Sequence, residues 1–214
     1  MYKASFFTLI MKALLVVDLQ YDFLPGGKLA VPNGNEIIEV INRIQEKFEL
    51  IIATQDWHPQ NHKSFASQYP AKKVFDVVDL NGLNQVLWPD HCISGTKGAE
   101  FTKEWNSNCI SAIFRKGLDR EIDSYSGFFD NGKRRNTGLA GYLRDKNVSE
   151  LYICGLAADF CVFYSAVDAV ELDFRTYFLD FATKPITDTG LIEAKKIMKL
   201  KGIEIVENEN QLIL

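Results

Sequence analysis

The chain has 214 residues, of which 47% are hydrophobic, and it carries a formal net charge of −4 at pH 7. This length and composition are those of a globular protein with one large core. The weak acidity argues against a basic surface for nucleic acid, so we expect no nucleic-acid partner. The four cysteines form no CxxC pair, which favours a reducing compartment, and we therefore expect a cytoplasmic protein.

The amino-terminal segment is apolar, but Lys12 interrupts it and Asp18 ends it. It is therefore too short and too broken for a membrane span or a signal peptide, and we expect no membrane partner. Met11 is an alternative start of the protein. On that interpretation residues 1–10 are an extension, native or introduced, and residues 11–214 form a single domain.

Apolar, β-branched runs alternate with segments of helical periodicity along the chain. The runs predict strands at residues 13–17, 50–54, 111–115, 151–154, 176–179 and 203–206. The periodic segments predict helices at residues 35–48, 137–146, 162–172 and 188–200. Strands separated by helices indicate a three-layer α/β/α domain with a mainly parallel sheet of roughly six strands. Residues 55–108 have few periodic signals, and such long irregular segments are usually functional.

Reactive side chains follow the ends of four predicted strands. These are Asp18 after the first, Asp56 and His58 after the second, Lys116 after the third and Cys161 after the fourth. Open α/β sheets bind ligands beyond the carboxyl ends of their strands. We therefore expect one site at this edge of the sheet.

Cys161 lies where a strand, a tight turn and a helix follow one another, in Gly155-Leu156-Ala157-Ala158-Asp159-Phe160-Cys161. A helix start favours the thiolate form, which makes Cys161 a candidate nucleophile for amide hydrolysis. Asp18 would carry the proton and Lys116 would stabilise the anionic forms, although each residue taken singly has an ordinary structural interpretation. The backbone N–H groups of Ala157 and Cys161 are candidates for an oxyanion hole.

The three histidines of the chain, His58, His62 and His91, all lie within one 34-residue window. Asp56 precedes His58 by two residues, which places the carboxylate and imidazole on the same side of an extended backbone. Asp56, His58 and His91 therefore predict a site for one divalent metal ion, with zinc as first choice and iron or manganese as alternatives. His62 is a further ligand or a supporting residue.

Aromatic residues are frequent in these same loops. Phe23 and Trp88 lie within a few residues of Asp18 and His91. A flat ring held between them is a reasonable substrate.

Five motifs resemble the bacterial nicotinamidases (pyrazinamidases) of the isochorismatase-like cysteine hydrolases. They are, in order, ALLVVDLQYDF with GGxLAVP, QDWHPxNHxSFA, LWPDHCxxGTxGAEF, KGxxxEIDSYSGFFDN and GLAADFCV. The resemblance covers nearly the whole chain from Lys12. It implies hydrolysis of nicotinamide to nicotinate and ammonia in NAD salvage, and of pyrazinamide to pyrazinoate.

The resemblance also implies roles for particular residues. Asp18, Lys116 and Cys161 resemble the family's catalytic triad. Asp56, His58 and His91 resemble its metal ligands, and the metal would orient the pyridine nitrogen. A cis peptide between Leu156 and Ala157 is implied as well. The ring pocket would be formed by Phe23, Leu29, Trp88, Tyr125 and Leu156.

Three other interpretations compete with this one. The nearest is a related hydrolase acting on a ureido, N-carbamoyl or isochorismate-type substrate, although such relatives generally lack the Asp-x-His…His set. The others are a non-catalytic pyridine-binding protein and an amidase whose metal-bound water attacks while Cys161 is only structural. The sequence leaves a homo-oligomer open.

Overall fold

Eight strands and four α-helices form the described part of the computed structural model, residues 11–212. The strands are β1 (Met11–Val17), β2 (Leu50–Asp56), β3 (Val77–Leu80), β4 (Leu83–Val86), β5 (Ala112–Lys116), β6 (Val148–Leu156), β7 (Arg175–Lys184) and β8 (Glu204–Val206). The helices are α1 (Ile37–Gln45), α2 (Leu139–Asp145), α3 (Cys161–Glu171) and α4 (Asp188–Leu200).

Six of the strands pair in parallel in the order β5-β2-β1-β6-β7-β8. The two central strands, β1 and β6, are almost entirely apolar because both faces of the sheet are covered. Along β1, Leu14 and Val16 pack in the core that includes α1, whereas Ala13 and Leu15 pack in the core that includes α2, α3 and α4. The predicted three-layer α/β/α fold with a parallel six-stranded sheet is therefore confirmed.

The boundaries of several elements differ from the prediction. The helix predicted at residues 35–48 is shorter, because residues 34–36 form a 3-10 turn before α1 begins. The fourth and fifth predicted strands are longer, as β6 and β7 continue into the loops that carry the site.

One element was missed. Within residues 55–108, β3 and β4 form an antiparallel hairpin. Its turn residues Asn81 and Gly82 have φ angles of +55° and +85°. An Asn-Gly pair between two short runs is a recognised hairpin signal, because its residues adopt positive φ readily.

None of the helices in residues 11–212 has the length and apolarity that crossing a membrane requires. All four cysteines are free. The extension predicted at residues 1–10 lies outside the described residues, and the single domain over 11–214 stays a prediction.

Candidate active site

The carboxyl edge of the sheet brings the predicted strand-end residues together. Asp56 and Lys116 are the last residues of the neighbouring strands β2 and β5, where their Cα atoms are paired in register. Asp18 follows β1 directly with φ +48°, and Cys161 is the first residue of α3. All four side chains are buried.

Lys116 lies at the centre of this group. Its Nζ is 2.8 Å from Asp18 Oδ2, 2.9 Å from Asp56 Oδ1 and 3.4 Å from Cys161 Sγ. It also donates to the backbone oxygen of Ser124 at 3.0 Å. One buried ammonium therefore contacts the candidate nucleophile, the candidate acid and a candidate metal ligand.

The electrostatics of the two carboxyl groups differ. Burial raises the pKa of Asp18, and Lys116 opposes that rise only in part. Burial also acts to raise the pKa of Asp56, but His58 and Lys116 outweigh it and hold the pKa well below its usual value. Asp56 is therefore the permanent anion of the site, whereas Asp18 can take and release a proton more easily.

The thiol of Cys161 differs from the expectation of a thiolate stabilised by the helix start. Burial raises the pKa of Cys161 well above its ordinary value, Lys116 lowers it, and Asp18 and Asp56 raise it further. Desolvation and two nearby carboxyl groups thus outweigh the ammonium of Lys116. The resting side chain is a thiol, so its proton must pass to a base before the sulfur attacks.

The turn between β6 and Cys161 is closely packed. Gly155 has φ +109°, and a Cβ there would lie 2.1 Å from the backbone oxygen of Val17, so only glycine fits. The peptide between Leu156 and Ala157 is cis, as the resemblance implied. Within residues 11–212, the N–H groups of Ala157 and Cys161 donate no hydrogen bond, so they can receive an oxyanion.

Asp56, His58 and His91 meet next to this turn. Asp56 Oδ2 lies 3.2 Å from His58 Nε2 and 3.5 Å from His91 Nε2, and His58 Nε2 is buried without a hydrogen-bond partner. Nδ1 of His58 contacts the backbone oxygen of Gly117 at 2.9 Å, and Nδ1 of His91 that of Pro89 at 2.7 Å. Since a carbonyl only accepts, Nδ1 is the donor in each ring, and each Nε2 faces Asp56 Oδ2 as the atom available to a metal ion. These residues fit a divalent metal ion.

His62 lies behind this group. Its ring centroid is 4.3 Å from that of His58, and its Nδ1 is 2.7 Å from Ser64 Oγ. Burial and the neighbouring His58 lower its pKa to about 4, so it is neutral at pH 7. His58, His62 and Asp123 form a second group with metal-ligand spacing, which shares His58 with the first.

An aromatic cleft of about 330 Å³, including its open mouth, lies above Cys161 and Asp56. Phe160 packs edge-on against Trp88 and Tyr125, at centroid distances of 4.9 and 5.5 Å. The lining residues are Phe23, Leu29, Asp56, Trp88, His91, Asp123, Tyr125, Ala157, Phe160, Cys161 and Ile186.

Four of the five predicted pocket residues line this cleft. Leu156 does not: its side chain is fully buried and faces Gly34. The sequence did not assign Asp123, Phe160 or Ile186 to the cleft. Asp123 lies in the quoted motif that begins at Lys116, and Phe160 directly precedes Cys161, which were the available signals.

Comparisons with known proteins agree with this geometry. The isochorismatase domain family matches residues 12–209. A nicotinamidase of Acinetobacter baylyi is 42% identical over 94% of this chain and 94% of its own. The structure of PnC1 from L. infantum in complex with nicotinate has a TM-score of 0.84 and 32% identity, covering 95% of each chain.

A third relative holds a metal. The pyrazinamidase of Pyrococcus horikoshii in complex with zinc has a TM-score of 0.75 and 39% identity, covering 92% of this chain and 99% of that one. The family match spans most of the chain, and the relatives are matched over nearly their whole length. The chain belongs to the isochorismatase family and, within it, to the nicotinamidases.

Proposed function

We propose that this protein hydrolyses nicotinamide to nicotinate and ammonia through a thioester on Cys161, and pyrazinamide to pyrazinoate by the same route. The observation that carries the proposal is the contact of one buried ammonium, Lys116, with Cys161, Asp18 and Asp56 below an aromatic cleft. The nicotinamidase relative and the nicotinate complex of a structural neighbour support the choice of substrate.

The reaction begins when the Cys161 sulfur adds to the carboxamide carbon and its proton passes to Asp18. The C=O π electrons move to oxygen, and that oxyanion accepts hydrogen bonds from the N–H groups of Ala157 and Cys161. The C–N bond then breaks as Asp18 returns the proton to the leaving nitrogen, which departs as ammonia. The raised pKa of Asp18 suits this role, because the group must hold a proton between the two steps.

The thioester is then cleaved by water. Asp18 takes a proton from the water as its oxygen adds to the acyl carbon, and the C–S bond breaks with return of a proton to sulfur. Nicotinate is released and the thiol is restored. Throughout the cycle the Lys116 ammonium offsets negative charge as it moves between the sulfur and Asp18.

Asp56, His58 and His91 would hold one divalent metal ion, and the zinc of the pyrazinamidase relative favours zinc over iron or manganese. That ion would supply a Lewis acid for the pyridine nitrogen, and this interaction would orient the carboxamide towards Cys161. His62, 4.3 Å from the His58 ring, supports that ligand or adds to the set.

The pyridine ring would lie among Phe23, Leu29, Trp88 and Tyr125, which line the cleft. Leu156, which is fully buried, would support the pocket from the core that includes α1. We place the reaction in NAD salvage and the protein in the cytoplasm. The free cysteines are consistent with a reducing compartment.

The test is ammonia release from nicotinamide and from a ureido acid of similar size, by protein supplied in turn with zinc, iron and manganese. We expect ammonia from nicotinamide and none from the ureido acid. Protein that is folded and metal-loaded but releases no ammonia from nicotinamide would refute the proposal. Release from the ureido acid alone would move the assignment to the other hydrolases of the family.

A further inference from the structure

Asp22 makes contacts that the proposed reaction does not use. It lies in the 3-10 turn Tyr21–Phe23, and its side chain is buried. Its Oδ2 accepts the backbone N–H of Cys92 at 2.7 Å, and its Oδ1 accepts the backbone N–H of Lys28 at 3.2 Å. Both carboxyl oxygens are therefore bonded to main chain outside their own turn.

The first of these bonds holds the peptide group next to a candidate metal ligand. The Cys92 N–H belongs to the peptide that directly follows His91, and Cys92 itself has φ +45°. The ring of His91 lies against Phe23, with centroids 5.6 Å apart. Asp22 thus joins the backbone of His91 to the turn that places Phe23.

The second bond holds the backbone next to Leu29, another residue that lines the cleft. Besides the Lys28 N–H on its carboxyl group, Asp22 accepts the N–H of Leu29 on its backbone oxygen at 3.0 Å. Gly98 packs directly on the carboxyl group, since a Cβ there would lie 2.1 Å from Asp22 Oδ2. The residue is tightly enclosed, yet it does not line the cleft itself.

We propose that Asp22 is a positioning residue. It fixes the position of His91 relative to Phe23 and Leu29, and so places the metal site beside these two cleft residues. The proposal rests on the proposed function for its consequence in turnover, but its primary effect is on metal binding. Asp22 touches neither the reacting atoms nor the cleft, so it acts only through the residues it holds.

Asp159 offers a matched comparison on the other half of the site. Its carboxyl group accepts the backbone N–H of Ile186 at 2.8 Å and that of Thr187 at 3.0 Å. It is also buried, and it lies in the turn that carries Cys161. Asp159 thus holds the turn that carries Cys161, whereas Asp22 holds the backbone next to His91.

The experiment compares Asp22→Asn with Asp159→Asn. Three quantities are measured: zinc affinity by chelator competition, kcat and KM for nicotinamide, and the alkylation rate of Cys161. In either variant an amide NH2 replaces one acceptor and faces a backbone donor. We expect Asp22→Asn to weaken zinc binding by about 10–100-fold and to raise KM, with Cys161 alkylation unchanged. Asp159→Asn should alter alkylation and kcat and leave zinc affinity unchanged.

The proposal is overturned if Asp22→Asn binds zinc as tightly as the original protein, or if both variants lose zinc equally. Gly98→Ala is a second variant. It keeps the carboxyl group of Asp22, but the added methyl group would push that carboxyl group out of position. It should reproduce the loss of zinc affinity. Unchanged zinc binding in Gly98→Ala would equally overturn the proposal, even if Asp22→Asn failed to fold.

Measurements of zinc affinity and of Cys161 alkylation need no turnover. Original protein that binds zinc but releases no ammonia would therefore refute the function and not this role.

Discussion

The Nζ atom of Lys116 lies 3.4 Å from the sulfur of Cys161, and both side chains are almost completely buried. The same atom contacts the carboxyl groups of Asp18 and Asp56. Charge at the proposed nucleophile, proton carrier and metal ligand is therefore offset by one shared ammonium. Changing any member of this cluster should alter the others in a direction that the contacts determine.

Removal of the ammonium should destabilise the fold. Lys116→Met leaves two buried carboxyl groups without their cation, so we expect the free energy of unfolding in urea to fall by about 3–5 kcal/mol. Lys47→Met is the control, because Lys47 pairs with Glu209 at the surface with 44% of its side chain exposed. That change should cost about 0–1 kcal/mol. Equal losses in the two variants would contradict a central role for Lys116.

Asp18→Asn should separate thiol reactivity from turnover. Asp18 raises the pKa of Cys161, so its neutralisation lowers that pKa and increases the thiolate fraction at a given pH. The pH midpoint of alkylation by iodoacetamide should therefore move down. Turnover should fall by about 10²–10⁴-fold because the proton carrier is lost. Nearly full activity would show that Asp18 does not carry the proton, and an unmoved alkylation midpoint would show that Asp18 does not raise the pKa of Cys161.

His91 and His62 should differ in their effect on metal binding. His91 faces Asp56 Oδ2, so His91→Ala should weaken zinc affinity by more than about 100-fold, beyond the usual range for outer residues. His62→Ala removes a ring that packs behind His58, and the loss should stay within about 10–100-fold. Chelator competition measures both. A larger loss in His62→Ala would make His62 a primary ligand.

Trp88 should contribute to substrate binding. Trp88→Leu removes an aromatic wall of the cleft, so KM for nicotinamide should rise by about tenfold, corresponding to about 1–1.5 kcal/mol. Trp57→Leu is the matched control, since Trp57 does not line the cleft. Its ring stacks on Arg115, with the guanidinium carbon 3.9 Å from the ring centroid. The same rise in both variants would indicate a general loss of packing.

The fold was largely predictable because its central strands β1, β2 and β6 are almost entirely buried. Runs such as Leu14 to Val17 can hardly be anything but interior strands, and their alternation with helices specifies the parallel sheet. The β3–β4 hairpin was not predicted because most of its residues are polar or only partly buried, and Val77 is 55% exposed. Its Asn81-Gly82 turn was the available signal.

The site residues that directly follow strand ends were predictable from the sequence. The rule that ligands bind beyond the carboxyl ends of strands selected Asp18, Asp56, Lys116 and Cys161, and the structure places them in one cluster. The protonation of Cys161 was not accessible, because it depends on the balance between burial and three charged neighbours.

The same limit applies to the cleft walls. Ile186 lines the cleft from the loop after β7, a position that only the packed fold reveals. Leu156 was placed in the pocket by resemblance, yet in this structure it is fully buried in the core that includes α1. Neighbours in sequence share a loop, but they need not share a surface.

The central claim is that Cys161 carries the acyl group, and turnover with acid quench tests it most directly. Protein would be mixed with nicotinamide, quenched with acid during steady state and digested. The mass of the peptide that carries Cys161 would then be measured by mass spectrometry. The account predicts a nicotinoyl thioester on Cys161, no ammonia release by Cys161→Ala and full release by the control Cys109→Ala. Ammonia release by Cys161→Ala at the rate of the original protein would contradict it and favour attack by metal-bound water.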